Sequence, residues 1–157
     1  MKRIFVISVV VLCGFAQHLS AQTNISSQEY ITSVGVKFFP GAVTVKHFLN
    51  EKGAIEGLGY FYKKGGRITG LYEFHWDIPN AAGLKWYAGP GAHVGFYSAS
   101  YGGGSSVGID GVIGLDYKFL GAPINVSLDW QPSFEFGSSN GEGFAGNWGG
   151  LAIRYVF

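Results

Sequence analysis

The chain has 157 residues, of which 47% are hydrophobic and 17% aromatic, with 26 glycines and only 13% charged, about half the charged share of an ordinary soluble domain. The formal net charge of +1 supplies no basic footprint, so a nucleic-acid partner is not expected. The one cysteine, Cys13, lies in an apolar leader, which leaves disulfides, thiolate metal sites and cysteine nucleophiles out of account once that leader is removed.

Taken in chain order, Met1, Lys2 and Arg3 form a positive start, Ile4 to Ala16 carries no charge, and Ser20 and Ala21 offer a small-residue stop. This pattern predicts a secretory signal peptide over residues 1–21, cleaved after Ala21. Its apolar run of about 13 residues is shorter than the roughly 20 a membrane-spanning helix needs. Leu12 stands where a lipoprotein signal wants a small residue, so no lipid attachment is expected at Cys13. Loss of the leader leaves nine basic and ten acidic side chains, a net charge of −1. Residues 22–30 read as a lead segment, and 31–157 as a single domain.

Within that domain the signal is period-two alternation, the mark of strands whose successive side chains point to opposite faces. Strands are predicted over Thr32–Phe38, Ala42–Leu49, Ala54–Tyr62, Arg67–Trp76 and Leu84–Tyr97. The alternation then sharpens over Val107–Phe119, where Val107, Ile109, Ile113, Leu115, Tyr117 and Phe119 oppose Asp110, Asp116 and Lys118. It is cleanest over Ile124–Phe136, where seven apolar positions from Ile124 to Phe136 interleave with Asn125, Ser127, Asp129, Gln131, Ser133 and Glu135. A last strand places Leu151, Ile153, Tyr155 and Phe157 opposite Ala152 and Arg154, with Val156 as an inward apolar exception. Turn compositions separate all eight, the longest being Ser98–Ser106 and Gly137–Asn147. Eight strands with alternate short and long connections predict an all-β fold, an eight-stranded antiparallel up-and-down transmembrane β-barrel with a side-chain-filled polar lumen.

Volume decides which face looks outward. The interior of an eight-stranded barrel is just wide enough for its own side chains or one small ligand. Phe38, Phe61, Trp76, Trp86, Phe96, Tyr117, Phe119, Trp130, Phe134, Phe136, Tyr155 and Phe157, together with Phe74, would overfill it, so these rings are expected outside, in two girdles at the membrane interfaces. The opposite face carries Lys37, Lys46, Arg67, Lys85, Lys118 and Arg154 with Glu56, Glu73, Asp110, Asp116, Asp129 and Glu135, and also His75 and His93. Buried charges are tolerated only when paired, so an ion-paired plug is expected rather than a pore. Inward Gly89, Gly91, Gly95, Gly108 and Gly114 suit a narrow, curved sheet.

The stretches Tyr72-Glu73-Phe74-His75, Gly91-Ala92-His93-Val94-Gly95-Phe96, Gly108-Ile109-Asp110-Gly111 and Ser127-Leu128-Asp129-Trp130 give a chain that resembles the small outer-membrane barrels of the OmpX/OmpA type, and more narrowly a Bacteroidota group of them. The resemblance covers roughly residues 31–157. It implies a bacterial outer-membrane location, membrane lipids as surroundings, and passage through the barrel assembly machinery. In that family a terminal Phe with alternating apolar residues before it is the assembly signal, and here Phe157, Tyr155, Ile153 and Leu151 fit, with Gly149 a weak fifth position.

Few motifs carry chemistry. Gly141-Glu142-Gly143-Phe144-Ala145-Gly146 matches a dinucleotide fingerprint in letters, but no helix follows it and no acid stands about 20 residues on. Glu73 and His75 share an inward face, and His93 and Asp129 are expected near them, as an ion-pair and hydrogen-bond network rather than a catalytic group. His47 is expected on the outward face. Tyr97, Tyr101, Phe144 and Trp148 are candidates for an external aromatic patch. No metal or cofactor is expected. The functional expectation is a monomeric structural or surface-interaction barrel without turnover. Its alternatives are a lipid-modifying enzyme of deacylase or acyltransferase type, which would need a histidine beside a carboxylate and an exposed serine, and a narrow channel, which would need a continuous water path.

Overall fold

The computed structural model describes residues 31–63, 65–101, 103–136 and 143–157. Ten strand segments follow in chain order: β1 (Thr32–Phe38), β2 (Ala42–Phe48), β3 (Gly53–Tyr62), β4 (Gly65–Asp77), β5 (Leu84–Tyr97), β6 (Ser105–Lys118), β7 (Ile124–Trp130), β8 (Ser133–Phe136), β9 (Gly143–Ala145) and β10 (Gly149–Val156). All pairings are antiparallel and run β5-β4-β3-β2-β1-β10-β7-β6, and β6 pairs back onto β5, which closes the sheet.

The ten segments make eight staves. Between β7 and β8 the chain keeps its register on β6, with Ile113 opposite Trp130 and Asp110 opposite Ser133. The interruption falls at Pro132, which has no N–H to give the ladder, although its carbonyl still accepts from Gly111 N at 2.8 Å. The expected strand Ile124–Phe136 is therefore one stave in two pieces. The β9 segment lies inside the stretch expected to be loop from Gly137 to Asn147. It pairs with β8 and leads into β10 through Gly146–Trp148, a local slip in register that re-aims the side chains between them.

Barrel geometry can be read from the registers. From Val36 the pairs run through Val43, Gly59, Ile68, Val94 and Val107 to Phe136. In the other direction they run through Ile153 to Val126. The two routes meet the same stave ten residues apart, and that stagger is what tilts strands by roughly 35–45° and closes a narrow barrel.

Alternation holds around the whole circumference. Val34, Val36, Val43, Val45, Ile55, Ile68, Ile109, Ile113, Leu128 and Ile153 are exposed on the outer face. The expected outward rings Phe38, Phe61, Trp76, Trp86, Phe96, Phe119, Trp130, Phe134, Phe136, Tyr155 and Phe157 are exposed there too, and Tyr117 is half-buried against Phe119. Trp76 and Trp86 stack with centroids 4.1 Å apart on paired positions of β4 and β5. Inward positions that carry glycine do so because neighbouring strands crowd them: a Cβ on Gly89 would lie 1.8 Å from the Tyr72 carbonyl oxygen.

Candidate functional site

Among the described residues the interior is where polar chemistry concentrates, and it is layered. At the end where β1 begins and β10 finishes, Phe48, Ala54 and Val156 pack together as an apolar floor. Above it sits an ionic tier. Lys46 Nζ lies 2.8 Å from Glu73 Oε2, 3.2 Å from Asp116 Oδ2 and 3.8 Å from Glu56 Oε2, and it also caps the Tyr87 ring at 4.3 Å. Arg154 donates from Nη2 to Glu56, from Nη1 to Ser127 Oγ at 2.8 Å and Asn125 Oδ1 at 3.2 Å, and from Nε to Thr44 Oγ1 at 3.2 Å. Thr44 in turn donates to Glu56, and Asn125 Nδ2 donates to Asp116 Oδ1 at 2.6 Å. His75 Nε2 pairs with Glu73 Oε2 at 2.9 Å, and the ring stacks on Tyr87.

Halfway up, Ala42, Leu58, Tyr60, Leu71, Tyr87 and Val112 form an apolar septum. Opposite them Lys37 Nζ lies 2.6 Å from Asp129 Oδ1 and 2.8 Å from Oδ2, and Tyr87 donates its O–H to Asp129 at 2.7 Å. Beyond the septum a second ionic tier faces the loop end. Arg67 pairs with Asp110, donates from Nε to Thr69 Oγ1 at 3.1 Å and lies 3.7 Å from Glu135 Oε1. The Trp148 ring covers its guanidinium at 4.1 Å. His93 Nδ1 contacts Asp110 Oδ2 at 2.8 Å.

Lys37, Lys46, Glu56, Arg67, Glu73, His75, His93, Asp110, Asp116, Asp129 and Arg154 are thus all buried in the interior, with Glu135 half-buried near the loop-end mouth. Two expected members stand at a rim instead. Lys85 pairs with exposed Asp77 at 3.3 Å, and Lys118 donates to the Phe119 and Ala122 carbonyls, both at 2.8 Å, where it ties the turn before β7. Strand ends leave long lysines within reach of water and turn carbonyls, so alternation alone overstates how far in they go.

Three further expectations change. His93 and Asp129 do not join Glu73 and His75: the former belongs to the loop-end tier and the latter to the Lys37 pair, because strand stagger separates residues that look level in sequence. Trp148 does not face outward with Phe144. The slip between β9 and β10 turns it inward, edge-on to Tyr60 and Tyr62 at 5.0 and 5.9 Å. Tyr97 also points inward and donates its O–H to Glu135 Oε2 at 3.2 Å, while Phe144 is exposed on the outer face. The side chain of Tyr101 and residues 141 and 142 of the glycine motif lie outside what the structure describes. His47 is on the outer face, with its Nδ1 2.9 Å from Thr32 Oγ1.

The septum and floor were not legible in the sequence. Leu58, Tyr60, Leu71, Tyr87 and Phe48 occupy inward positions on weakly alternating strands, and only the register shows that they meet. Among the described residues no group of three or more His, Cys, Asp or Glu side chains converges as a metal cluster.

The fold and the interior define the class, a closed eight-stranded antiparallel β-barrel, apolar outside and ionic within. Compared with protein-family models, with curated proteins and with solved structures, the chain matches none of them.

Proposed function

We propose that this chain is an integral protein of a bacterial outer membrane that serves a structural or surface-interaction role without catalytic turnover, after export by a cleaved leader. The observation that carries this reading is the inverted polarity of the barrel. Rings and aliphatic side chains such as Phe61, Ile68, Ile109 and Leu128 cover the outer face at 57–70% exposure, whereas Lys37, Lys46, Arg67 and Arg154 are at most 1% exposed inside. Contiguous apolar cover of this extent is a liability in water and a requirement in hydrocarbon. Closure of β6 onto β5 also removes the sheet edge that lipid could not satisfy. The resemblance to OmpX/OmpA-type barrels supports the same location.

A channel is disfavoured by the floor, the septum and the two ionic tiers, which fill the interior with paired side chains. A hydrolase of the lipid-modifying kind would find its carboxylate and imidazole in Asp110 and His93, but among the described residues the serines of that tier, Ser106 and Ser133, are buried at 2–3% exposure rather than presented at the surface.

Expression of the full chain in a Gram-negative host tests the reading. The mature protein should fractionate with outer membranes, require detergent for extraction, and migrate faster on a gel before boiling than after. Recovery of a folded, monodisperse protein in buffer without detergent would overturn it.

A further inference from the structure

The loop-end tier contains a side-chain arrangement that ion pairing leaves unfinished. His93 is 3% exposed, and its Nδ1 is held by Asp110 Oδ2 at 2.8 Å. Its Nε2 is buried, makes no hydrogen bond, and faces Glu135 Oε1 at 3.7 Å. Register explains the approach: His93 on β5 pairs with Gly108 on β6, and Gly108 pairs with Glu135 on β8. The ring crosses over Gly108, where a Cβ would come within 2.3 Å of His93 Cε1, so only glycine lets the imidazole reach Glu135. Ser106 Oγ, also buried in this tier, has no hydrogen-bond partner either. Tyr97 places its phenol oxygen 3.2 Å from the other oxygen of Glu135, whose side chain keeps 14% of its surface open at the mouth.

A buried imidazole nitrogen whose opposite nitrogen is fixed by a carboxylate is how proteins orient a histidine toward a metal. Ligands about 2.0–2.2 Å from a tetrahedral ion stand roughly 3.4 Å apart, close to the separation seen between His93 Nε2 and Glu135. We propose that the loop-end mouth binds one divalent cation of the zinc type through His93 Nε2 and Glu135, with the Tyr97 oxygen and water completing the shell. An imidazole with a carboxylate selects such borderline ions over calcium or magnesium. Arg67, 3.7 Å from the same Glu135 oxygen, opposes a second positive charge, but its own charge is engaged by Asp110 and covered by Trp148. Two charged or imidazole ligands and this neighbour set the affinity below that of a closed structural zinc site. The site lies on the loop side of the septum.

Zinc chloride titrated calorimetrically into the metal-free full-length barrel, folded in detergent and a non-chelating buffer, tests this. One saturable site is expected. H93Q and E135Q should each weaken it at least tenfold, D110N by about 10–100-fold through loss of ring orientation, and H47Q, on the outer face, should leave it unchanged. Gel mobility before boiling confirms that each variant is folded, and NMR of the wild-type imidazoles supplies a readout that needs no variant: His93 should shift on zinc addition and His75 should not. Absence of heat and of any His93 shift at millimolar zinc, as for a ring that only forms ion pairs, would overturn the proposal, and so would unchanged binding in H93Q. The readout is binding by a folded barrel in detergent, so it stands or falls separately from the membrane location.

Discussion

Replacing Arg154 with methionine tests the ionic interior most directly. The guanidinium is 1% exposed and makes four hydrogen bonds, to Glu56, Ser127, Asn125 and Thr44. Methionine fills much of the same volume but leaves the Glu56 carboxylate without its guanidinium partner. Lys46, at 3.8 Å, then has to serve Glu56 as well as Glu73 and Asp116. Removing one partner of a buried pair costs about 3–5 kcal/mol, mostly from the charge left behind. That corresponds to a loss of roughly two to four decades in the folding equilibrium constant. Neutralising the survivor should recover much of it: in R154M/E56Q the charge is gone, and replacing a whole buried pair by neutral groups is often close to neutral. Urea unfolding in detergent micelles or lipid vesicles, read by gel mobility and tryptophan fluorescence, gives all four corners of the cycle. The reasoning fails if R154M costs less than about 1 kcal/mol, or if the double variant is as unstable as the sum of the singles.

Three other outcomes follow. In vesicles of brominated lipid, single-tryptophan variants retaining Trp76, Trp86 or Trp130 should be quenched and one retaining Trp148 should not, since the first three are exposed on the outer face and Trp148 lies over Arg67; equal quenching would refute the outward and inward assignment. Ile113→Lys, at 51% exposure on the outer face, should destabilise the protein in bilayers by about 2–4 kcal/mol if that face meets hydrocarbon, and a neutral result in a vesicle unfolding titration would argue against it. Gly108→Ala should cost about 1–3 kcal/mol because its methyl meets His93 and the Phe134 carbonyl, whereas Gly70→Ala, with nothing within 4 Å of its added methyl, should stay within about 0.5 kcal/mol; comparable losses at both sites would show that crowding is not what holds glycine at 108.

Much of this protein was legible from residue order because a strand's period of two converts a list of letters into two faces. Asp110, Asp129, Glu135 and Arg154 could be placed inside, and Trp86, Phe134 and Tyr155 outside, without knowing what any of them touches. The narrowness of an eight-stranded barrel then made the rings the outer face. Partner choice lay beyond that reach. Alternation gives the side of the sheet but not the height, and height depends on the ten-residue stagger that only the closed ladders fix. That stagger brings His93 to Asp110 and Glu135 rather than to Asp129, sets Lys37 on Asp129, and gathers Leu58, Leu71 and Val112 into a septum. The inward turn of Trp148 was equally hidden, since one residue of slip between β9 and β10 exchanges the two faces and leaves no mark in composition.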